Sequence, residues 1–185
     1  KEDGTIDEVE AERMLDYAIE SGVTYIDTAY PYHDGESEPF VGRVLKKYKR
    51  EDFYLATKLP MFKIDSLEQA KEILEEQMKR LDVDYVDFYL LHALNKDTWK
   101  KVIDLNIIPY CEELKKQGRI KNFGFSFHDD YEVFEEIINY RDWDFCQIQL
   151  NYIDTDIQAG MKGYKLTEEK NVPLVIMEPI KGGAL

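Results

Sequence analysis

The sequence predicts an α/β protein of the (β/α)8 TIM-barrel class, incomplete, with about six β-α units in its 185 residues. Three observations carry this. Short apolar runs alternate with longer amphipathic stretches along the whole chain. The runs end near positions 27, 58, 92, 126, 149 and 177, the cadence of repeated β-α units. No G-x-G-x-x-G follows any of them, which favours a closed barrel over an open dinucleotide-binding sheet. A complete barrel has eight strands and typically ~250 residues. Six runs therefore predict a first strand before Lys1 and a last one after Leu185, with residues 1–185 forming one partial barrel domain.

In chain order, Asp7-x-x-Glu10 reads as a capping box opening a helix with Ala11, Leu15 and Ala18 on one face and Gly22 beyond its end. Thr24–Thr28 is the first strand, and a shorter helix covers Pro39–Tyr48. Phe53–Lys58 is the second strand. Ser66-x-x-Gln69 then opens a helix that turns Leu67, Ala70, Leu74 and Met78 inward. Tyr85–His92 is a nearly unbroken apolar run, as suits a strand buried on both faces. Ala93–Trp99 is expected to be a pocket-wall loop, as is Pro60–Ile64. Pro109 fits a first helical turn, and Gly118 stops that helix. Lys121–Phe127 is the fourth strand, and Asp129-x-x-Glu132 opens a helix striped by Val133, Phe134, Ile137 and Ile138. Phe145–Asn151 and Pro173–Pro179 are the last strands, with a short helix over Gly163–Glu169 between them.

Composition narrows the partners. An apolar fraction of 44% and an aromatic fraction of 13% supply a packed core. A net charge of -14 repels nucleic acid and anionic membrane, so neither is expected as a partner. Cys111 and Cys146 are the only cysteines, which argues against a disulfide framework, a metal site or an iron–sulfur cluster within these residues. No run of ~18 apolar residues exists, and Lys1-Glu2-Asp3-Gly4 does not open a signal peptide. A reducing cytoplasm is the expected location.

In a barrel the chemistry sits at the C-terminal ends of the strands. Asp27, Lys58 and His92 end three successive strands there, and Tyr32 follows Asp27 in the next loop. Each alone has a structural explanation: a turn cap, a rim lysine, a core histidine. Together they converge on one mouth. Their chemistry is proton transfer to an oxygen. A tyrosine with an ordinary pKa near 10 is a poor acid at neutral pH, and a cation within hydrogen-bond reach favours its phenolate. A buried carboxylate keeps that cation charged and aimed. Tyr32, Lys58 and Asp27 form such a relay, with His92 placed to hold the substrate oxygen.

These residues carry a resemblance. Ile26-Asp27-Thr28-Ala29-Tyr30-Pro31-Tyr32, with Gly35, Ser37-Glu38 and Gly42, resembles the D-T-A-x-x-Y…G-x-S-E…G signature of aldo-keto reductases. Ala56-Thr57-Lys58 resembles that family's lysine strand, and Tyr85 to His92 its D-x-x-x-x-H strand. Gly118-Arg119-Ile120 with Gly124-Phe125-Ser126 resembles its G-K-I-R…G-V-S element. The match runs in order over essentially the whole chain.

The resemblance implies a nicotinamide-dependent oxidoreductase reducing an aldehyde or ketone by hydride transfer, with Tyr32 as general acid. Lys58 and Asp27 would tune it, and His92 would orient a small-molecule carbonyl substrate. It also implies that Ser126 and Gln147 contact the nicotinamide carboxamide, that Met177 takes the place of a ring-stacking aromatic, and that Lys181, Gly182 and Gly183 line the pyrophosphate. Phe127 stands where the family usually has Asn. NADP(H) is the cofactor the family favours, with NAD(H) as the alternative. Gly124-Phe125-Ser126-Phe127-His128 and Met177 to Gly183 look most like a prokaryotic subgroup of predicted oxidoreductases. Many of these continue into a ferredoxin-like tail, so an iron–sulfur cluster is expected only if such a C-terminal segment follows. Two other readings remain: a cofactor-binding redox-sensing or regulatory subunit with slow or no turnover, and a barrel hydrolase pairing Asp27 with Glu178. Phe62, Trp99 and Tyr152 are candidates for an aromatic pocket.

Overall fold

The computed structural model describes residues 5–185. Six strands form one sheet: β1 Tyr25–Asp27, β2 Tyr54–Leu59, β3 Val86–Leu94, β4 Ile120–Phe127, β5 Phe145–Gln149 and β6 Leu174–Met177. Their order in the sheet is their order in the chain, and every neighbouring pair is parallel. Helices fill the intervals: α1 Glu8–Glu20, α2 Ser37–Leu45, α3 Leu67–Leu81, α4 Lys96–Asp104, α5 Ile107–Lys116, α6 Tyr131–Tyr140 and α7 Gly160–Lys170. The result is the arc of an incomplete (β/α)8 barrel, with β1 and β6 at its edges.

Period-two alternation divides the strand residues between two layers. Leu55, Leu59, Tyr89, Leu91, Phe123, Phe125, Cys146 and Ile148 face the helices and join the main core. Ala56, Leu90 and Phe145, with Tyr25, Phe88 and Val175 against them, form a second cluster inside the curve. Both faces are thus apolar, which is why the runs show little alternation in polarity. The inner side chains change character toward the C-terminal strand ends, where Asp27, Lys58, His92, Ser126 and Gln147 replace the hydrocarbons. Gly124 makes room for Phe145, whose ring lies 2.6 Å from where a Gly124 Cβ would stand. A Cβ at Gly42 would meet the Leu81 carbonyl oxygen at 2.6 Å, so the close approach of α2 to the end of α3 requires glycine there.

Several local expectations need correction. Ala93–Trp99 is only in part a loop, because α4 begins at Lys96. Asn95 caps it by accepting from the Thr98 amide at 2.9 Å, while the Thr98 hydroxyl accepts from the Asn95 amide at 2.8 Å. Trp99 is buried among Tyr140 and Trp143 in the helix layer and lines no inner pocket. Asp129 does not cap α6, whose N-cap is Asp130. The Asp129 carboxylate instead accepts from the Lys96 amide at 2.8 Å, in the first turn of α4. Asp7 and Ser66 cap their helices at 3.5 and 3.2 Å, but the reciprocal arm of each box does not form: Glu10 accepts from Arg13, and Gln69 accepts from the Asp65 amide at 2.7 Å. Ala11, Leu15 and Ala18 are only half-buried, and no residue of α1 is fully covered.

β3 also runs two residues past His92. Its register with β4 shifts between Leu91 and Leu94, and Ala93 takes φ +52°. The amide freed by this bulge donates to the Ser126 hydroxyl at 2.8 Å. A bulge of this kind re-aims the side chains beside it.

Candidate active site

Lys58 lies at the centre of the polar end of the arc, its side chain 1% exposed. An ammonium carries three N–H donors, and buried charge is tolerated where each finds a partner. One donates to the Asp27 carboxylate, one to the Thr28 carbonyl at 2.8 Å and one to the Tyr32 hydroxyl at 3.2 Å. The other Asp27 oxygen accepts from the Gln147 amide at 2.8 Å and from the Tyr25 hydroxyl at 3.4 Å. The Gln147 amide also donates to the Tyr25 oxygen at 3.1 Å. Burial, with the Asp27 charge beside it, raises the Tyr25 phenol well above its ordinary range, so Tyr25 acts as a fixed donor.

Tyr32 sits on the turn Tyr32–Gly35 between β1 and α2, and is 37% exposed. Its ring meets that of His92 edge-on at 5.6 Å. His92 is 9% exposed, and its Nδ1 is buried without a hydrogen-bond partner. Burial first, then the Lys58 charge and the nearby His128, push His92 down to about 3. The imidazole is therefore neutral at neutral pH. The Phe62 ring also packs on His92, at 5.6 Å, and is half-exposed, so of the three aromatic candidates it is the one beside this site. Tyr152 is 75% exposed, away from these contacts.

Asp27, Tyr32, Lys58, His92 and Gln147 are thus brought into one constellation. Ser126 joins its edge, buried beside the His92 bulge and paired in register with Gln147. The remaining sequence candidates stand apart. Met177 ends β6 half-buried, opposite Gln149. Lys181 is bound to the Asp154 carboxylate at 2.8 Å, and that ion pair with Asn151 lowers the Asp154 pKa. Gly182 and Gly183 are exposed at φ +67° and +89°, with open space where a Cβ would be. Phe127 has the wrong parity for the mouth and packs outward on Phe134 at 5.3 Å.

Two contributors went unread in the sequence. Tyr25 shares a face with Asp27 by period two, which was signal enough to find it. Gln77 on α3 reaches the Lys58 carbonyl at 3.0 Å, and no local pattern announces that. Among the described residues no group of three or more His, Cys, Asp or Glu side chains could hold a metal ion, and no helix is long and apolar enough to cross a membrane.

Comparison with known proteins matches the Aldo/keto reductase family model over residues 1–185. The uncharacterized oxidoreductase YqkF of Bacillus subtilis is 31% identical over 181 residues, covering 93% of this chain and 56% of that protein. The NADH-specific methylglyoxal reductase of Escherichia coli is 25% identical over 186 residues, covering 89% and 54%. The holo form of the aldo-keto reductase AKR11C1 from Bacillus halodurans superposes with a TM-score of 0.78 at 31% identity, over 97% of this chain and 60% of that one. This chain thus spans little more than half the length of the relatives it matches. With a family model matched from end to end on a six-stranded barrel arc, the chain belongs to the aldo/keto reductase family.

Proposed function

We propose that this chain carries the proton-relay half of a nicotinamide-dependent carbonyl reductase. The observation that supports it is the Lys58 ammonium held between the Asp27 carboxylate and the Tyr32 hydroxyl, with the neutral His92 against the tyrosine ring. When bound, a reduced nicotinamide supplies a hydride to the carbonyl carbon. Tyr32 gives its hydroxyl proton to the carbonyl oxygen, turning ketone or aldehyde into alcohol. Lys58 stabilises the phenolate left behind, and Asp27 holds Lys58 aimed at it. His92, being neutral, adds no second cation to the pocket and offers a ring nitrogen to the same oxygen.

The residues present fit a carboxamide. Ser126 accepts from Ala93 and keeps its own hydrogen to donate. Gln147 commits its amide nitrogen to Asp27 and Tyr25, leaving Oε1 as an acceptor. These two neighbours in register offer one donor and one acceptor, the complement of a carboxamide. Met177 would cover a ring face from the adjoining strand. Lys181, Gly182 and Gly183 would meet the pyrophosphate, with Lys181 exchanging Asp154 for phosphate. NADP(H) and NAD(H) are both compatible with these contacts.

The test is Tyr32→Phe. Reduction of methylglyoxal, the substrate named for the Escherichia coli relative, should fall by about 10²–10⁴-fold, while quenching of protein fluorescence by reduced cofactor persists. Turnover retained in Tyr32→Phe would sink the assignment.

A further inference from the structure

We propose that Arg80 on α3 and the buried Glu38 on α2 form a positioning device that fixes the Tyr32 loop against the Lys58 strand. The inference rests on the relay reading above and deepens it. Both sides of the 3.2 Å contact between Lys58 and Tyr32 are tied to one buried carboxylate.

On the lysine side, Glu38 is 0% exposed, and its Oε1 accepts from the Thr57 hydroxyl at 2.6 Å and the Gln77 amide at 2.9 Å. Thr57 precedes Lys58 on β2, and the Gln77 amide also donates to the Lys58 carbonyl at 3.0 Å. The Tyr89 hydroxyl donates to Gln77 Oε1 at 2.9 Å, which fixes the orientation of that amide. On the tyrosine side, Arg80 donates to Glu38 Oε2 and to the Tyr30 carbonyl, both at 3.3 Å. Its guanidinium lies 4.3 Å over the Tyr30 ring and is held from behind by Glu76 at 2.7 Å. The Tyr30 hydroxyl donates to that same Glu76 at 2.7 Å.

The loop needs such support. His33, Asp34 and Gly35 take φ of +51°, +54° and +93° in succession, a conformation that costs non-glycine residues energy and persists only where the surroundings impose it. Arg80 lies against this turn: it donates to the Tyr30 carbonyl just before it, and its Nη1 is 3.4 Å from where a Gly35 Cβ would stand. Burial raises the Glu38 carboxyl above its ordinary range, while Thr57, Gln77 and Arg80 act in the opposite sense. Removing Arg80 would therefore loosen the loop and unbalance the carboxylate together. The titratable groups facing Tyr32 itself are Lys58, His92 and, through their contacts, Asp27 and Tyr25; neither Arg80 nor Glu38 touches it.

The experiment is ¹³C NMR of protein labelled at tyrosine Cζ, with the Tyr32 resonance assigned by its loss in Tyr32→Phe. Lys58→Met supplies the position of Tyr32 without an ammonium beside it. Arg80→Met should move the Tyr32 resonance at least half of the way from the wild-type to the Lys58→Met position, and Arg80→Lys should move it less. Arg80→Met strands a buried carboxylate, so the double variant Glu38→Gln/Arg80→Met, which buries no uncompensated charge, is read alongside it and should give the same displacement. A Tyr32 resonance left at its wild-type position in the folded variants, even with lowered thermal stability, would reduce the pair to a structural staple and overturn the proposal. Coincident wild-type and Lys58→Met positions would overturn the Lys58–Tyr32 contact itself, and the brace with it.

Discussion

Lys58 and His92 stand near each other in the same mouth, and their surroundings differ sharply in the hydrogen bonds they offer. A carboxylate, a carbonyl and a phenol oxygen each accept a hydrogen bond from the Lys58 ammonium. His92 has no such partner, and the lysine charge adds to its burial. The consequence for stability has a definite sign. The folded state holds His92 near 3, below the ordinary value of 6.5, so the unfolded chain binds a proton that the folded one refuses. That contribution is complete above pH 6.5 and is lost as pH falls from there toward 3. His92→Gln should therefore be less sensitive to acid than wild type, by about 1.4 kcal/mol per pH unit within that window. Urea titrations of both proteins at pH 7, 5.5 and 4 would show it; parallel loss in the two would refute it. Asp27, Lys58 and His92 were legible because each lies at or near a strand end with a distinctive chemistry, and Tyr32 because it follows Asp27 in the next loop. The commitment of Gln147 to Asp27 was not, since the partners are 120 residues apart and meet only across the curve.

At the scale of elements, strands and most helices were readable from apolar runs and caps, and the failures cluster around α4. Its sequence, Lys96-Asp97-Thr98-Trp99-Lys100-Lys101, is largely polar, and its N-cap is shared with a residue from another segment. Asn95 holds the Thr98 amide while Asp129, 33 residues on, holds that of Lys96. Capping patterns read locally cannot foresee a cap supplied from the next loop. Asn95→Ala and Asp129→Ala should each cost about 1 kcal/mol, as lost N-cap bonds do. Because both serve one helix terminus, a double-mutant cycle should show them coupled by more than ~0.5 kcal/mol. Additive losses in denaturant unfolding would separate the two contacts. The end of β3 was misplaced for a related reason: its bulge is stabilised by Ser126 on β4, not by anything in β3.

The molecule as a whole carries a net charge of -14, although many carboxylates are paired on its surface, as in the contacts of Lys47 with Glu12 and Asp16 and of Arg119 with Glu75. Such exposed pairs contribute little, whereas the excess negative charge repels itself over the whole surface. Raising ionic strength from about 10 to about 150 mM shortens the Debye length from roughly 30 to 8 Å. The melting temperature should rise; a fall would mean that paired charges dominate. Curvature is the other global property, and Gln147 bears on it. Strands in a flat sheet lie roughly 4.8 Å apart, so β1 and β5, four places apart, would be separated by roughly 19 Å. A 2.8 Å hydrogen bond between Gln147 and Asp27 is therefore a chord drawn across a bow. It joins the first strand of the sheet to the fifth at their C-terminal ends. Any flattening of the sheet would stretch that chord first, so Asp27 would register a change in the shape of the whole arc before any residue at its rim.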